Sequence, residues 1–184
     1  MGTTSQSGID FIALEENAPL FSKPDSFLTP AYKDTNGPAI GYGCTFYEDG
    51  SKIQYGQQIT KKRADQLLLY HVRLNEGYLN SYLNGKNIRL TVPQFDAVVS
   101  FVYNAGPGNF LKSQLWQQIQ VNPNDLNAIE AAFKSWPYNA NRRLKEAQAY
   151  GQPVFRSEVT TNIAGIGAIL LALAGGYLIN ESRQ

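Results

Sequence analysis

Apolar positions along the chain fall into two regimes. Up to about residue 155 they alternate with polar residues at helical or strand periods. From Val159 to Asn180 there is no charged residue, and the stretch from Ile163 to Ile179 is almost wholly apolar. In the first regime, Ile9, Phe11, Ile12 and Leu14 predict a short helix capped by Ser7, with Asp10 in its first turn, ending near Glu16. Residues 17–37 predict a loop, because Pro19, Pro24, Pro30, Asn36 and Gly37 all interrupt regular structure. The pattern over 39–55 is strand-like, and Asp49-Gly50 supplies a hairpin turn between 45–47 and 52–55.

Beyond this hairpin the periods are helical. Thr60 is placed to cap a long helix with Ala64, Leu67, Leu68, Leu74 and Tyr78 on one face. Thr91 and Gln94 form a capping-box pair opening a second, buried helix that carries Ala97, Val98, Phe101 and Val102. Asn104-Ala105-Gly106 ends it, the glycine being free to take a left-handed backbone. Further helices are expected over 111–120, 123–136 and 141–150. The expected architecture is a mostly helical α+β domain over 1–155 with a small hairpin lobe, followed by a separate apolar helix within 156–184.

Composition narrows the function. Sixteen basic and fifteen acidic residues give a net charge of +1, too little field to gather nucleic acid, so no nucleic-acid partner is expected. Eleven Tyr and two Trp suit a sugar-binding cleft, although such rings also pack cores. The lone Cys44 cannot form an internal disulfide, and with one His the chain lacks the usual metal clusters, so no metal or other cofactor is expected. Residues 1–10 carry neither the basic region nor the apolar run of a secretory signal.

Candidate chemistry lies in a pair of carboxylates. A glycosidic bond is hydrolysed by one group that protonates the leaving oxygen and a second, ionised, that directs water or stabilises the positive sugar. The acid is best held on a rigid, partly apolar element, and its partner in a polar loop. Glu16, at the end of the apolar first helix, fits the first description. Asp34, in Tyr32-Lys33-Asp34-Thr35-Asn36-Gly37, fits the second. By residue type alone, a helix-end glutamate and a turn aspartate would account for both.

Three motifs sharpen this reading. Ala31-Tyr32-Lys33-Asp34-x-x-Gly37 followed by Ile40-Gly41-Tyr42-Gly43-x-Thr45 resembles the catalytic hairpin of the phage-type lysozymes, glycoside hydrolase family 24. The run from Gln94 to Phe101, then Tyr103-Asn104-x-Gly106-x-Gly108-x-Phe110-x-x-Ser113, resembles that family's second signature, and Arg142-Arg143 with Glu146 its third. The resemblance spans about residues 9–150, in order. It implies a lysozyme-like fold with Glu16 as general acid, Asp34 as its partner, and Arg142 close to the acid in support. It also implies Tyr42, Asn104 and Gly106 as substrate-binding positions, with bacterial peptidoglycan as the substrate. Glu15 is the rival acid, and successive helix residues point about 100° apart, so only one of the two is expected to face the cleft well.

The chain departs from the family pattern in four places. Residues 17–30 form a longer loop, the hairpin between Asp34 and Ile40 is one residue shorter, and Cys44 replaces a common histidine. Ala39 stands where many members carry a threonine that helps hold the attacking water, and Thr45 is the nearest hydroxyl that could substitute. Cys44 reads as a small buried side chain rather than a thiol nucleophile, because His71 is far away in sequence.

The second regime reads as a membrane anchor. As a helix, residues 159–180 would span about 33 Å, close to the hydrocarbon thickness of a bilayer. Ala164, Ala168, Ala172 and Gly176 recur every four residues, a small-residue stripe suited to helix–helix packing in lipid. The combined expectation is a muramidase hydrolysing the β-1,4 bond between N-acetylmuramic acid and N-acetylglucosamine, anchored in the membrane of a phage particle. A lytic transglycosylase on the same scaffold could tolerate Ala39, since it needs no external water. A non-catalytic wall-binding virion protein is the remaining reading.

Overall fold

The computed structural model describes residues 1–35 and 37–152. In chain order its elements are α1 Gln6–Phe21, β1 Leu28–Pro30, β2 Tyr32–Asp34, β3 Gly37–Ala39, β4 Gln58–Thr60, α2 Lys61–Gly85, α3 Val92–Ala105, α4 Pro107–Phe110, α5 Gln114–Val121, α6 Leu126–Lys134 and α7 Ala140–Tyr150. The fold is α+β and mostly helical, with a small strand lobe between α1 and α2, as the periodicity predicts. The expected boundary near residue 155, the apolar helix over 159–180 and its small-residue stripe lie outside the described residues. Among the described residues no helix is long and apolar enough to cross a membrane.

The helices start where capping chemistry dictates. Thr60 accepts from the Arg63 amide at 3.2 Å to open α2, and the Gln94 side chain accepts from the Thr91 amide at 2.9 Å to open α3. Every residue of α3 from Pro93 to Val102 is buried, as expected of a helix that is apolar nearly all round. It packs against α1, α2 and α7, and Phe101 sits edge-on to Phe110, Phe133 and Trp136 in the main core. The long α2 joins two cores. Leu67 fills the lobe cluster with Ile40, Cys44 and Ile53, whereas Leu68, Val72, Leu79 and Leu83 fill the helical one. The buried face of α2 therefore runs through His71 and Glu76, and Tyr78, expected on it, is exposed.

Three local readings are corrected. Ser5, not Ser7, caps α1, its hydroxyl accepting from the Gly8 amide at 3.2 Å. The helix also continues past Glu16 to Phe21 across a break at Asn17 (φ −157°, ψ 72°). The Asn17 side chain then accepts from the Leu20 amide at 3.1 Å, capping a fresh turn that contains Pro19. The strands also lie elsewhere than expected. β1 pairs antiparallel with β4 and β2 with β3, while the stretch 40–55 carries only the isolated bridges Ile40–Cys44 and Phe46–Lys52. The Asp49-Gly50 turn is where expected, with Gly50 at φ +84° and its amide donating to Tyr47 O at 3.0 Å.

Candidate functional site

Glu16 is held by a helix tied down at both ends. At its start, the Ser5 amide and hydroxyl donate to Asp96 of α3 at 2.9 and 2.5 Å, and the Thr4 amide donates to Glu76 at 2.7 Å. Just past Glu16, the Asn17 side chain donates to Gly41 O at 2.9 Å, joining α1 to the hairpin loop. Arg142 Nη1 donates to Glu16 Oε1 at 2.5 Å, and the guanidinium is buried.

Beneath this pair lies a charged cluster that sequence reasoning underrated. Glu146 is fully buried, and its Oε1 accepts from Ser100 Oγ at 2.6 Å, Arg143 Nη2 at 2.9 Å and Arg142 Nε at 3.1 Å. Burial works against the charge on Arg142, but the Glu16 and Glu146 carboxylates outweigh it and hold its pKa above the usual value. Arg143 has no such surplus. Burial pulls it down to about 10, and its guanidinium lies 4.5 Å from the centre of the Phe101 ring. Glu146 itself is pushed up by burial, against the opposing pull of both arginines. The motif Arg142-Arg143-x-x-Glu146 therefore forms a buried platform whose outermost donor reaches Glu16.

The open side of Glu16 is a polar recess of about 490 Å³, lined by Glu15, Asn104, Asn139, Ala140, Asn141 and Arg142 as well as Glu16 itself. Both adjacent glutamates thus line the recess, contrary to the expectation that only one would. They differ in partners, since Glu15 binds the exposed Lys145 at 2.6 Å. Sequence reasoning missed Asn139 and Asn141. The available signal was the Asn-Ala-Asn run before Arg142, and Asn139 adopts φ +57°, a left-handed backbone that asparagine tolerates better than most residues.

On the far side of Glu16 stands the strand lobe. Gly43 approaches so closely that a Cβ built on it would lie 3.2 Å from Glu16 Oε2. Asp34 is exposed at the end of β2, opposite Gly37, and Tyr32 is opposite Ala39. The other expected positions distribute unevenly. Asn104 lines the recess and accepts from Asn139 Nδ2 at 3.0 Å and Arg143 Nη2 at 3.2 Å. Tyr42 lies beneath the site rather than in it, fully buried, its hydroxyl donating to Asp65 at 2.9 Å. Gly106 (φ +84°) ends α3 and is not among the residues lining the recess. Thr45 is exposed, its carbonyl accepting from the Ile53 amide at 3.0 Å. Cys44 is buried, and burial pushes its thiol up to about 12, so no thiolate nucleophile is at hand.

Comparison with known proteins agrees with this fold. Residues 23–149 match the phage lysozyme family, a span that includes Asp34 and Arg142 and begins after Glu16. The endolysin of Bacillus phage PZA is 30% identical over 128 residues, which is 68% of this chain; the match spans about half, 46%, of that protein's length. The endolysin of Salmonella phage P22 is 31% identical over 107 residues, covering 58% of this chain and 70% of that protein. Among solved structures, an endolysin from Escherichia coli O157:H7 phage FAHEc1 superposes with a TM-score of 0.66 at 27% identity, covering 84% of this chain and 97% of that one. A P22 lysozyme structure gives a TM-score of 0.63, also at 27% identity, over 82% of this chain and 99% of that one.

Proposed function

The chain belongs to the phage lysozyme family, and on that premise we propose that it degrades bacterial peptidoglycan as a muramidase, with Glu16 as general acid and Asp34 as the base that directs water. The supporting observation is the placement of Glu16, clamped by buried Arg142 on one side and abutted by Gly43 of the Asp34-bearing lobe on the other. The bond cleaved is the β-1,4 link from N-acetylmuramic acid to N-acetylglucosamine. Glu16 gives its proton to the leaving oxygen as the C1–O bond breaks, and Asp34 takes a proton from the water that attacks C1 from the opposite face. This two-sided arrangement inverts the anomeric centre and needs the two carboxyl groups about 6.5–9.5 Å apart. Asn104, Asn139 and Asn141 supply hydrogen bonds to sugar hydroxyl and acetamido groups.

Ala39 favours a second reading, a lytic transglycosylase. With no hydroxyl at that position, the sugar's own oxygen could close on C1 and leave an anhydro end. The test is clearance of purified peptidoglycan followed by mass spectrometry of the fragments. Reducing N-acetylmuramic ends support hydrolysis, anhydro ends support transglycosylation, and no release defeats both. The charge-free sequence from Val159 to Asn180 supports attachment of the enzyme to a lipid bilayer, a setting that suits a membrane-containing phage particle.

A further inference from the structure

Ala39 leaves the hairpin without the hydroxyl that the family resemblance puts there, and the register of the hairpin sets another hydroxyl-bearing side chain on the strand directly opposite. Tyr32 lies directly across from Ala39, and Asp34 directly across from Gly37. Residues two apart on a strand share a face, and directly opposed residues bring their Cβ positions to about 4.5–5.5 Å. One face of the hairpin therefore carries a phenol and a carboxylate on β2, facing only a methyl group and a hydrogen on β3. That opposing strand leaves space, since nothing lies within 4 Å of where a Gly37 Cβ would stand.

The same phenol also reaches toward the acid. The phenol lies within electrostatic reach of the Gly43 backbone amide, and Gly43 is the residue that abuts Glu16 Oε2. Tyr32 thus stands in the field of both carboxylates, Asp34 of its own strand and Glu16. Burial, and then the charges of Asp34 and Glu16, raise its pKa above the ordinary phenol value against the opposing Gly43 amide. The group therefore remains an O–H donor at neutral pH.

We propose, resting on the hydrolytic reading above, that Tyr32 is a further catalytic residue whose hydroxyl holds the attacking water beside Asp34, in the place that a threonine fills in many relatives. The hydroxyl donates to the water oxygen. The water then gives one proton to Asp34 as its oxygen bonds to C1, while the glycosidic C–O bond breaks and the Glu16 proton passes to the leaving oxygen. Tyr32 itself exchanges no proton. Its role is to aim the water, so it acts on the chemical step rather than on sugar binding.

The test compares the full chain with Tyr32→Phe and with the double variant Tyr32→Phe/Ala39→Thr, on soluble peptidoglycan oligosaccharides in 18O-labelled water. Phenylalanine keeps the ring and removes only the hydroxyl. The expected result is a kcat lower by about 10- to 100-fold, the effect of losing one transition-state hydrogen bond. KM should stay within about twofold and melting within a few degrees, and the double variant should recover part of the lost kcat. A Tyr32→Phe protein with wild-type kcat, or one whose defect lies in KM, overturns the role of Tyr32 while labelled reducing ends leave the hydrolytic reading standing. Unlabelled anhydro products from the wild type overturn both, because no water would then be held. If the double variant fails to fold, the kcat-against-KM split of the single variant still decides.

Discussion

Gly43 and Glu16 are packed so closely that a side chain on the glycine would crowd the acid: an added Cβ would stand 3.2 Å from Glu16 Oε2, at a backbone φ of +80°. Both conditions penalise any replacement. A left-handed backbone costs a residue with a Cβ about 1–2 kcal/mol, and the new methyl group also presses on the carboxylate, which must give by a few tenths of an ångström. Gly43→Ala should lower the melting temperature by a few degrees and reduce peptidoglycan clearance well beyond what the lost stability explains. Equal activity at a temperature where both proteins are folded would show that this contact does not position the acid.

Glu16→Gln keeps shape and hydrogen bonding but cannot supply a proton. General acid catalysis is worth roughly 10²–10⁴-fold, and clearance should fall by that order with the fold retained. Glu15→Gln should be mild, because its partner Lys145 is exposed across the surface. The reverse ranking, with Glu15→Gln the inactive protein, would transfer the acid's role to Glu15.

The buried platform should be needed for folding as well as for the site. Glu146→Ala removes the oxygen that accepts from Ser100, Arg142 and Arg143, leaving two buried guanidinium groups short of a counter-charge. Breaking a buried pair from one side costs about 3–5 kcal/mol. For a domain of this size that lowers melting on the order of 10 °C. A shift of a degree or two by calorimetry would mean that the arginines find other partners.

The helical frame was legible because its start signals are local and strong. Thr60 caps α2 and the Thr91–Gln94 pair opens α3 as their side-chain chemistry requires. The strands were not legible, because each is three residues long and a period of two cannot establish itself over so short a run. The continuation of α1 has a readable signal in Asn17-Ala18-Pro19, an N-cap followed by a proline in the first turn, but proline marks loops as readily as first turns. Charged Arg143 and Glu146 could not be recognised as core from residue type, since such residues are buried only when paired and the pairing is tertiary. Of the candidate site, Glu16, Arg142 and Asn104 converge on one recess. Tyr42 instead serves as packing beneath it, a distinction that a motif alone does not carry.

Stability should fall in mild acid on account of His71. Burial lowers its pKa, against the opposing effects of the Phe46 carbonyl at 2.9 Å and the Glu48 charge. The unfolded chain therefore takes up the proton first, near the ordinary value of about 6.5. The stabilisation is complete above that value and is lost as the pH falls through it toward the folded-state pKa. Urea midpoints at pH 7.5 and 5.5 check this, with His71→Gln expected to remove that part of the decline. An unchanged decline in the variant would assign it to carboxylates.

The apolar sequence beyond the helical domain makes a separable prediction. Ending the chain after Phe155 should leave a folded domain that clears peptidoglycan. The full chain should float with liposomes and resist release by salt, since hydrophobic attachment is insensitive to screening. Salt-sensitive flotation, or a shortened chain that does not fold, would rule out an independent anchor.

The short loop over 41–44 is fastened to three different helices: the Asn17 side chain of α1 holds Gly41 O, Asp65 of α2 receives the Tyr42 hydroxyl, and Tyr103 of α3 donates to Tyr42 O at 2.9 Å. A loop riveted at three points cannot act as a hinge. The wall of the cleft beside Glu16 is therefore a fixed jaw, and on the proposed muramidase reading a bulky glycan strand is accommodated by the opposite wall, where the Asn-Ala-Asn run leads into α7.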